Sequence, residues 1–150
     1  MLENLRELYQ EIVFDHNRNP RNFRPIENAD RKIEGYNPLC GDRITLYLKL
    51  ENGRIADIGF QGQGCAISTA SASLMTEIVK GKTLTEAEKL FMTFHAIVTG
   101  QDERLKLKEL GKLAVLAGVR QYPSRIKCAT LPWHSLEAAI KGQQEPVSTE

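Results

Sequence analysis

Arg43-Ile44-Thr45-Leu46-Tyr47-Leu48-Lys49-Leu50, then Glu51-Asn52-Gly53-Arg54, then Ile55-Ala56-Asp57-Ile58-Gly59-Phe60-Gln61 is the stretch that decides the fold. Ile44, Leu46, Leu48 and Leu50 alternate with Arg43, Thr45, Tyr47 and Lys49. A period of two puts the first set on one face of a strand and the second on the other. Asn52-Gly53 between two strand-like runs is a strong hairpin signal, because the type I′ turn common in hairpins needs positive φ at both positions. The return strand covers about residues 54–61. Its alternation is poorer, and Gly59 is where a bulge is expected. A weaker strand over about residues 31–36 completes a three-stranded antiparallel sheet.

Outward from the sheet, the chain reads as helices. Leu2, Leu5, Leu8, Tyr9, Ile12 and Val13 recur at helical spacing and predict a helix over about residues 2–16. Asn17-Arg18-Asn19-Pro20 ends it, since the residue before a proline avoids helix. Residues 17–30 read as a surface loop. After the hairpin, Gly62-Gln63-Gly64 leads into a small-residue helix from Cys65 to Lys80, stopped by Gly81. Thr83-Leu84-Thr85-Glu86 fits a capping box opening a helix to about Val98. Further helices are expected over about 104–117 and 123–141, with Pro132 bending or restarting the last. The order predicts a single α+β domain over 1–141, with helices packed on one face of the sheet. The polar segment 142–150 is expected to be a disordered tail.

At 150 residues, the length suits one domain with a sizeable core. A net charge of +1 carries no basic excess that would point to nucleic acid. No apolar stretch approaches the roughly 20 residues needed to span a bilayer. Met1-Leu2-Glu3-Asn4-Leu5-Arg6-Glu7 is amphipathic and acidic, unlike a secretory signal. These features predict a cytoplasmic protein without membrane or nucleic-acid partners. The three cysteines, an odd number, argue against a disulfide framework. They are free thiols, metal ligands, or both.

Each cysteine sits at the edge of an element beside glycine or basic residues. Cys40 lies in the turn Asn37-Pro38-Leu39-Cys40-Gly41-Asp42, Cys65 between a glycine pair and a helix start, and Cys128 behind Arg125-Ile126-Lys127. A buried hydrophobic thiol is the bland reading of any one cysteine. Turns, however, carry function more often than cores do. A helix start presents unpaired N–H groups and the positive end of its dipole, which favour a thiolate at Cys65. Gly62 and Gly64 would let backbone approach a ligand closely. They do not make a dinucleotide fingerprint, since the third glycine would fall at Ile67.

Asp42 is either a turn cap or a ligand facing the same point as Cys40. Three thiolates and one carboxylate are four donors, the number taken by tetrahedral Zn²⁺ or a cluster iron. The spacings, 25 residues from Cys40 to Cys65 and 63 more to Cys128, match no short zinc motif. Arg125 and Lys127 either form a solvated basic stretch or offset the negative charge of such a site. His16 reads as a helix-end cation, His95 as a core or partly buried residue beside Phe91 and Phe94, and His134 lies near Pro132. No H-E-x-x-H, C-x-x-C or G-x-S-x-G pattern is present.

With these residues in view, the sequence resembles the U-type iron–sulfur assembly proteins, IscU and SufU. The resemblance rests on Asn37 to Asp42, on Phe60 to Ser73, and on Arg125 to Leu131, and it covers all but the polar tail. It implies a SufE/IscU-like fold. It also implies that Cys40, Asp42, Cys65 and Cys128 bind Zn²⁺ or a nascent iron–sulfur cluster. A cysteine desulfurase partner (SufS- or IscS-like) would deliver persulfide sulfur, and downstream assembly proteins or Fe–S acceptors would receive the product.

The lean is toward the SufU branch. The stretch between Cys65 and Cys128 is longer than in IscU, and Lys127 stands where IscU proteins carry a histidine. Tyr122-Pro123-Ser124-Arg125-Ile126-Lys127 replaces the Leu-Pro-Pro-Val-Lys that a dedicated chaperone reads there. The branch implies a sulfur relay, at most sulfurtransferase-like, more than a cluster scaffold. Cys40, in its glycine-flanked turn, is the expected persulfide acceptor.

Two other readings compete. A zinc-dependent hydrolase would use Asp42 as its open position and a water as nucleophile, but the sequence offers no separate general base. A structural zinc domain would be closed by Cys and His, whereas an Asp donor is more easily displaced.

Overall fold

The computed structural model describes residues 2–38, 40–99, 113, 114, 116, 119 and 123–148. Helix α1 (Leu2–Arg18) precedes three strands, β1 (Arg31–Asn37), β2 (Asp42–Glu51) and β3 (Arg54–Gln63). Helices α2 (Ala66–Val79), α3 (Leu84–Val98) and α4 (Pro123–Ile140) follow, and β4 (Val147–Ser148) comes last. The helix expected over 104–117 lies outside the described residues except at Leu113, Ala114 and Leu116. No described helix is long and apolar enough to cross a membrane.

The sheet order is β3-β2-β1-β4. The β1–β2 and β2–β3 pairs are antiparallel, as the short turns that join them require. Asn52 and Gly53 close the hairpin with φ of 52° and 75°, the doubly positive turn that Asn-Gly favours. Ile33, Ile44, Leu46, Leu48, Ile55, Ile58 and Phe60 are buried and form the sheet's share of the core. The α+β expectation of helices on an antiparallel sheet therefore holds, with one strand added.

That added strand comes from the segment expected to be a disordered tail. Val147 is its one aliphatic residue, packs against the core, and pairs in parallel with Gly35 of β1. The bulge also differs from expectation. Lys49 pairs with Asp57 but Leu50 with Ile55, so Ala56 is the extra residue. This is why Ile55 and Ile58, three apart, both face the core. Gly59 serves another purpose: a Cβ there would run into the Arg24 carbonyl oxygen, where the loop after α1 crosses the sheet.

The helices are locked together beneath one end of the sheet. Trp133 of α4 is fully buried, stacks at 5.0 Å on Phe94 of α3, and donates its indole N–H to Ser71 Oγ of α2 at 3.2 Å. Ser71 in turn donates to the Ala129 carbonyl at 2.6 Å. Helix α3 opens with the expected Thr83/Glu86 capping box. Helix α4 runs through Pro132 without restarting. Pro132 has no N–H, so the helix bond to the Cys128 carbonyl is lost there. His16 lies in the last turn of α1, as expected, but it is buried, with its Nε2 3.6 Å from a Glu77 carboxylate oxygen. It is 3% exposed, its Nδ1 lies 2.7 Å from Ser73 Oγ, and it ties α1 to α2.

Candidate metal centre

Three chain segments converge at the open end of the sheet. Cys40 is carried by the β1–β2 turn, Asp42 by the first position of β2, and Cys128 by the second turn of α4. One ligand atom from each lies within 4.8 Å of the other two. The Cys128 and Cys40 sulfurs are 3.3 Å apart, with the Cys128 thiol donating. Cys40 is exposed and Cys128 is buried, so the group has one open side.

Asp42 is 1% exposed, and both its oxygens are engaged. Oδ1 accepts the backbone N–H of Cys65 at 2.9 Å, and Oδ2 accepts the Asn37 side-chain amide at 3.2 Å. Asn37 and Asp42 face one another across the β1–β2 pair. Gly64 makes room for the carboxylate, since a Cβ there would sit 2.8 Å from Asp42 Oδ1. The glycine pair before Cys65 was expected to admit a ligand. Gly64 instead admits Asp42.

Cys65 is the N-cap of α2, and its sulfur accepts the Ser68 N–H at 3.4 Å. Its thiol stands outside the three-residue group. Arg125, exposed on α4, links it to the others. The charge of Cys65 first, then that of Cys128, a hydrogen bond to Cys128 and the charge of Cys40 raise the Arg125 pKa above its ordinary value. Arg125 and Cys128 share a helix face at a spacing of three, while Lys127 is turned about 100° away from Cys128. Of the two basic residues expected to offset the site's charge, Arg125 thus faces the thiols.

Burial, then hydrogen bonds to Cys40 and Asp42, push the Cys128 thiol well above its ordinary 9.0. Without a cation the thiol keeps its proton, and a metal must displace it. The donor set fits a sulfur-loving cation. Tetrahedral zinc at its usual bond length holds two thiolates about 3.8 Å apart, close to the Cys40–Cys128 separation. Among the described residues the group contains no imidazole.

Sequence reasoning missed Asn37, which is fully buried and donates to both Asp42 and Cys128. Its position before Pro38 disguises it as a turn former.

A family model described as NifU-like N terminal domain matches residues 8–129. The chain belongs to that family. Among its relatives is the iron–sulfur cluster assembly scaffold protein IscU of Streptococcus pyogenes serotype M1. It is 44% identical over 140 residues, covering 93% of this chain and 87% of the relative. The zinc-dependent sulfurtransferase SufU of Bacillus subtilis (strain 168) is 40% identical over 141 residues, covering 94% and 95%. A crystal structure of a putative scaffold protein for the SUF system from Fervidobacterium islandicum AW-1 superposes with a TM-score of 0.83 at 36% identity, covering 89% of this chain and 97% of that one. The family thus agrees with the resemblance carried by the Asn37–Asp42, Phe60–Ser73 and Arg125–Leu131 segments.

Proposed function

We propose that this protein works in iron–sulfur cluster assembly, accepting persulfide sulfur from a cysteine desulfurase at Cys40. Its site holds Zn²⁺, or a nascent cluster as cargo, through Cys40, Asp42, Cys65 and Cys128. The observation that carries this reading is the convergence of two thiols and a carboxylate from three chain segments within 4.8 Å. The naming of one relative as a zinc-dependent sulfurtransferase and another as an assembly scaffold supports both halves of it.

When bound, zinc supplies a positive charge that keeps its cysteine ligands as thiolates at neutral pH. The chain's own residues do the rest. Cys40 is exposed in a short turn, so a partner's persulfide can reach its sulfur. The Cys40 thiolate attacks the outer sulfur of the donor persulfide. A new S–S bond forms on Cys40, the donor's S–S bond breaks, and the donor cysteine leaves as a thiolate. No net oxidation occurs. Arg125 offsets the negative charge on the sulfurs. Cys65 joins the site by giving up its 3.4 Å cap contact. The exposure of Cys40 favours this working site over a closed structural one.

The protein acts in the cytoplasm, and its product passes to downstream assembly or acceptor proteins. Cysteine desulfurase turnover tests the reading. Turnover should rise several-fold when this protein is added and lose that rise with Cys40→Ala. An unchanged rise with Cys40→Ala would overturn the assignment.

A further inference from the structure

One residue that is not itself a ligand bonds to all three clustered residues, to Cys40 through its backbone and to Asp42 and Cys128 through their ligand atoms. The Asn37 backbone carbonyl accepts the Cys40 N–H at 3.2 Å. Its side-chain amide donates to Asp42 Oδ2 at 3.2 Å and to the Cys128 sulfur at 3.6 Å. The Asn37 side chain is fully buried, and its Oδ1 has no hydrogen-bond partner. The amide cannot be turned over, because Oδ1 would then face the Asp42 carboxylate with no proton between them.

A buried amide that leaves its own oxygen orphaned is a poor structural choice, since an unmet acceptor is costly. Its two N–H groups, however, join a strand carboxylate to a helix thiol, and no apolar residue could do that. The side-chain amide makes its hydrogen bonds to Asp42 and Cys128, not to the Cys40 sulfur.

We infer that Asn37 is a positioning residue that divides the donor set. Its amide pins Asp42 and Cys128 and leaves the Cys40 thiol free to leave and return. This rests on the metal-site reading above. An N–H donated to a metal-bound thiolate also draws electron density from the sulfur, so Asn37 tunes the metal–sulfur bond at Cys128. Residues that orient ligands in this way typically change metal affinity about 10- to 100-fold when removed.

The test compares wild type with Asn37→Ala, which removes both donors, and Asn37→Ser, which keeps one. In metal-free protein, alkylation of Cys128 should quicken several-fold in Asn37→Ala while that of Cys40 stays the same. General loosening of the fold would quicken both, and that result overturns the inference. Zinc affinity, by chelator competition, should fall at least 10-fold in Asn37→Ala and less in Asn37→Ser. In cobalt-loaded protein the thiolate-to-metal absorption should move to lower energy in Asn37→Ala. Equal affinity and an unmoved band in a folded variant overturn the inference.

If wild type binds no zinc, the metal-site reading fails, and the alkylation comparison still judges Asn37. If neither variant folds, cadmium-loaded wild type decides. The Asn37 amide protons should exchange slowly and couple to the metal through the sulfur. Fast exchange without coupling overturns the inference.

Discussion

Asp42 Oδ1 and the backbone N–H of Cys65 are hydrogen-bonded at 2.9 Å, which fastens the start of β2 to the start of α2. The contact brings Cys65 beside the thiol–carboxylate group although its sulfur is engaged as a helix cap. The same carboxylate thus holds the third cysteine at the edge of the site without using its sulfur.

If Cys65 joins the metal, Cys65→Ser should keep the fold, because a hydroxyl also caps the Ser68 N–H. Thiolate-to-cobalt absorption should drop by about one third, since one of three thiolates is lost. An unchanged intensity would remove Cys65 from the ligand set.

Leu46, Leu48, Leu74, Phe94 and Trp133 are fully buried, and a chain of this length buries enough apolar surface to fold without a metal staple. Chelation should therefore leave a cooperative unfolding transition at lower temperature. A ligand at 100 times its dissociation constant stabilises by about 2.7 kcal/mol. For a chain of this length that corresponds to roughly 5–10 °C. Calorimetry with and without chelator checks it. Loss of the transition on chelation would favour a structural zinc domain.

The strand pair was readable because hydrophobic alternation in β2 and the Asn52-Gly53 turn are local signals. The capping box at Thr83 and Glu86 is local too. The candidate site was readable in residue type, from three edge cysteines and Asp42, but its geometry was not. Cys40 and Cys128 meet across 88 positions of sequence, and no spacing encodes that contact. The bulge at Ala56 hid behind Gly59, since a glycine that admits a crossing loop looks the same as one that bulges. Strand β4 left only Val147 in a polar segment as its mark. Asn37 and His16 were hidden because their partners, Cys128 and Ser73, lie on distant helices.

His134 gives the stability a pH dependence of known sign. Burial first, and the charge of His95 next, lower its pKa below 6.5, against an opposing effect of Glu137. The fold therefore favours neutral His134, and its contribution is complete above pH 6.5. As pH falls through that value, the unfolded chain takes up the proton first and stability declines. The decline levels off once His134 is protonated in the fold as well. Denaturation of metal-free protein at pH 7.5 and 5.5 should show this loss, and His134→Gln should shrink it. An equal loss in the variant would contradict the assignment.

The claim that Cys40 takes up sulfur is tested most directly by mass spectrometry of the zinc-loaded protein after a brief reaction with a cysteine desulfurase and cysteine. Trapping persulfides by alkylation and digesting the chain reports the sulfur on each cysteine separately. The account predicts one added sulfur on the peptide containing Cys40. Added sulfur on the Cys65 or Cys128 peptide, and never on that of Cys40, would contradict it.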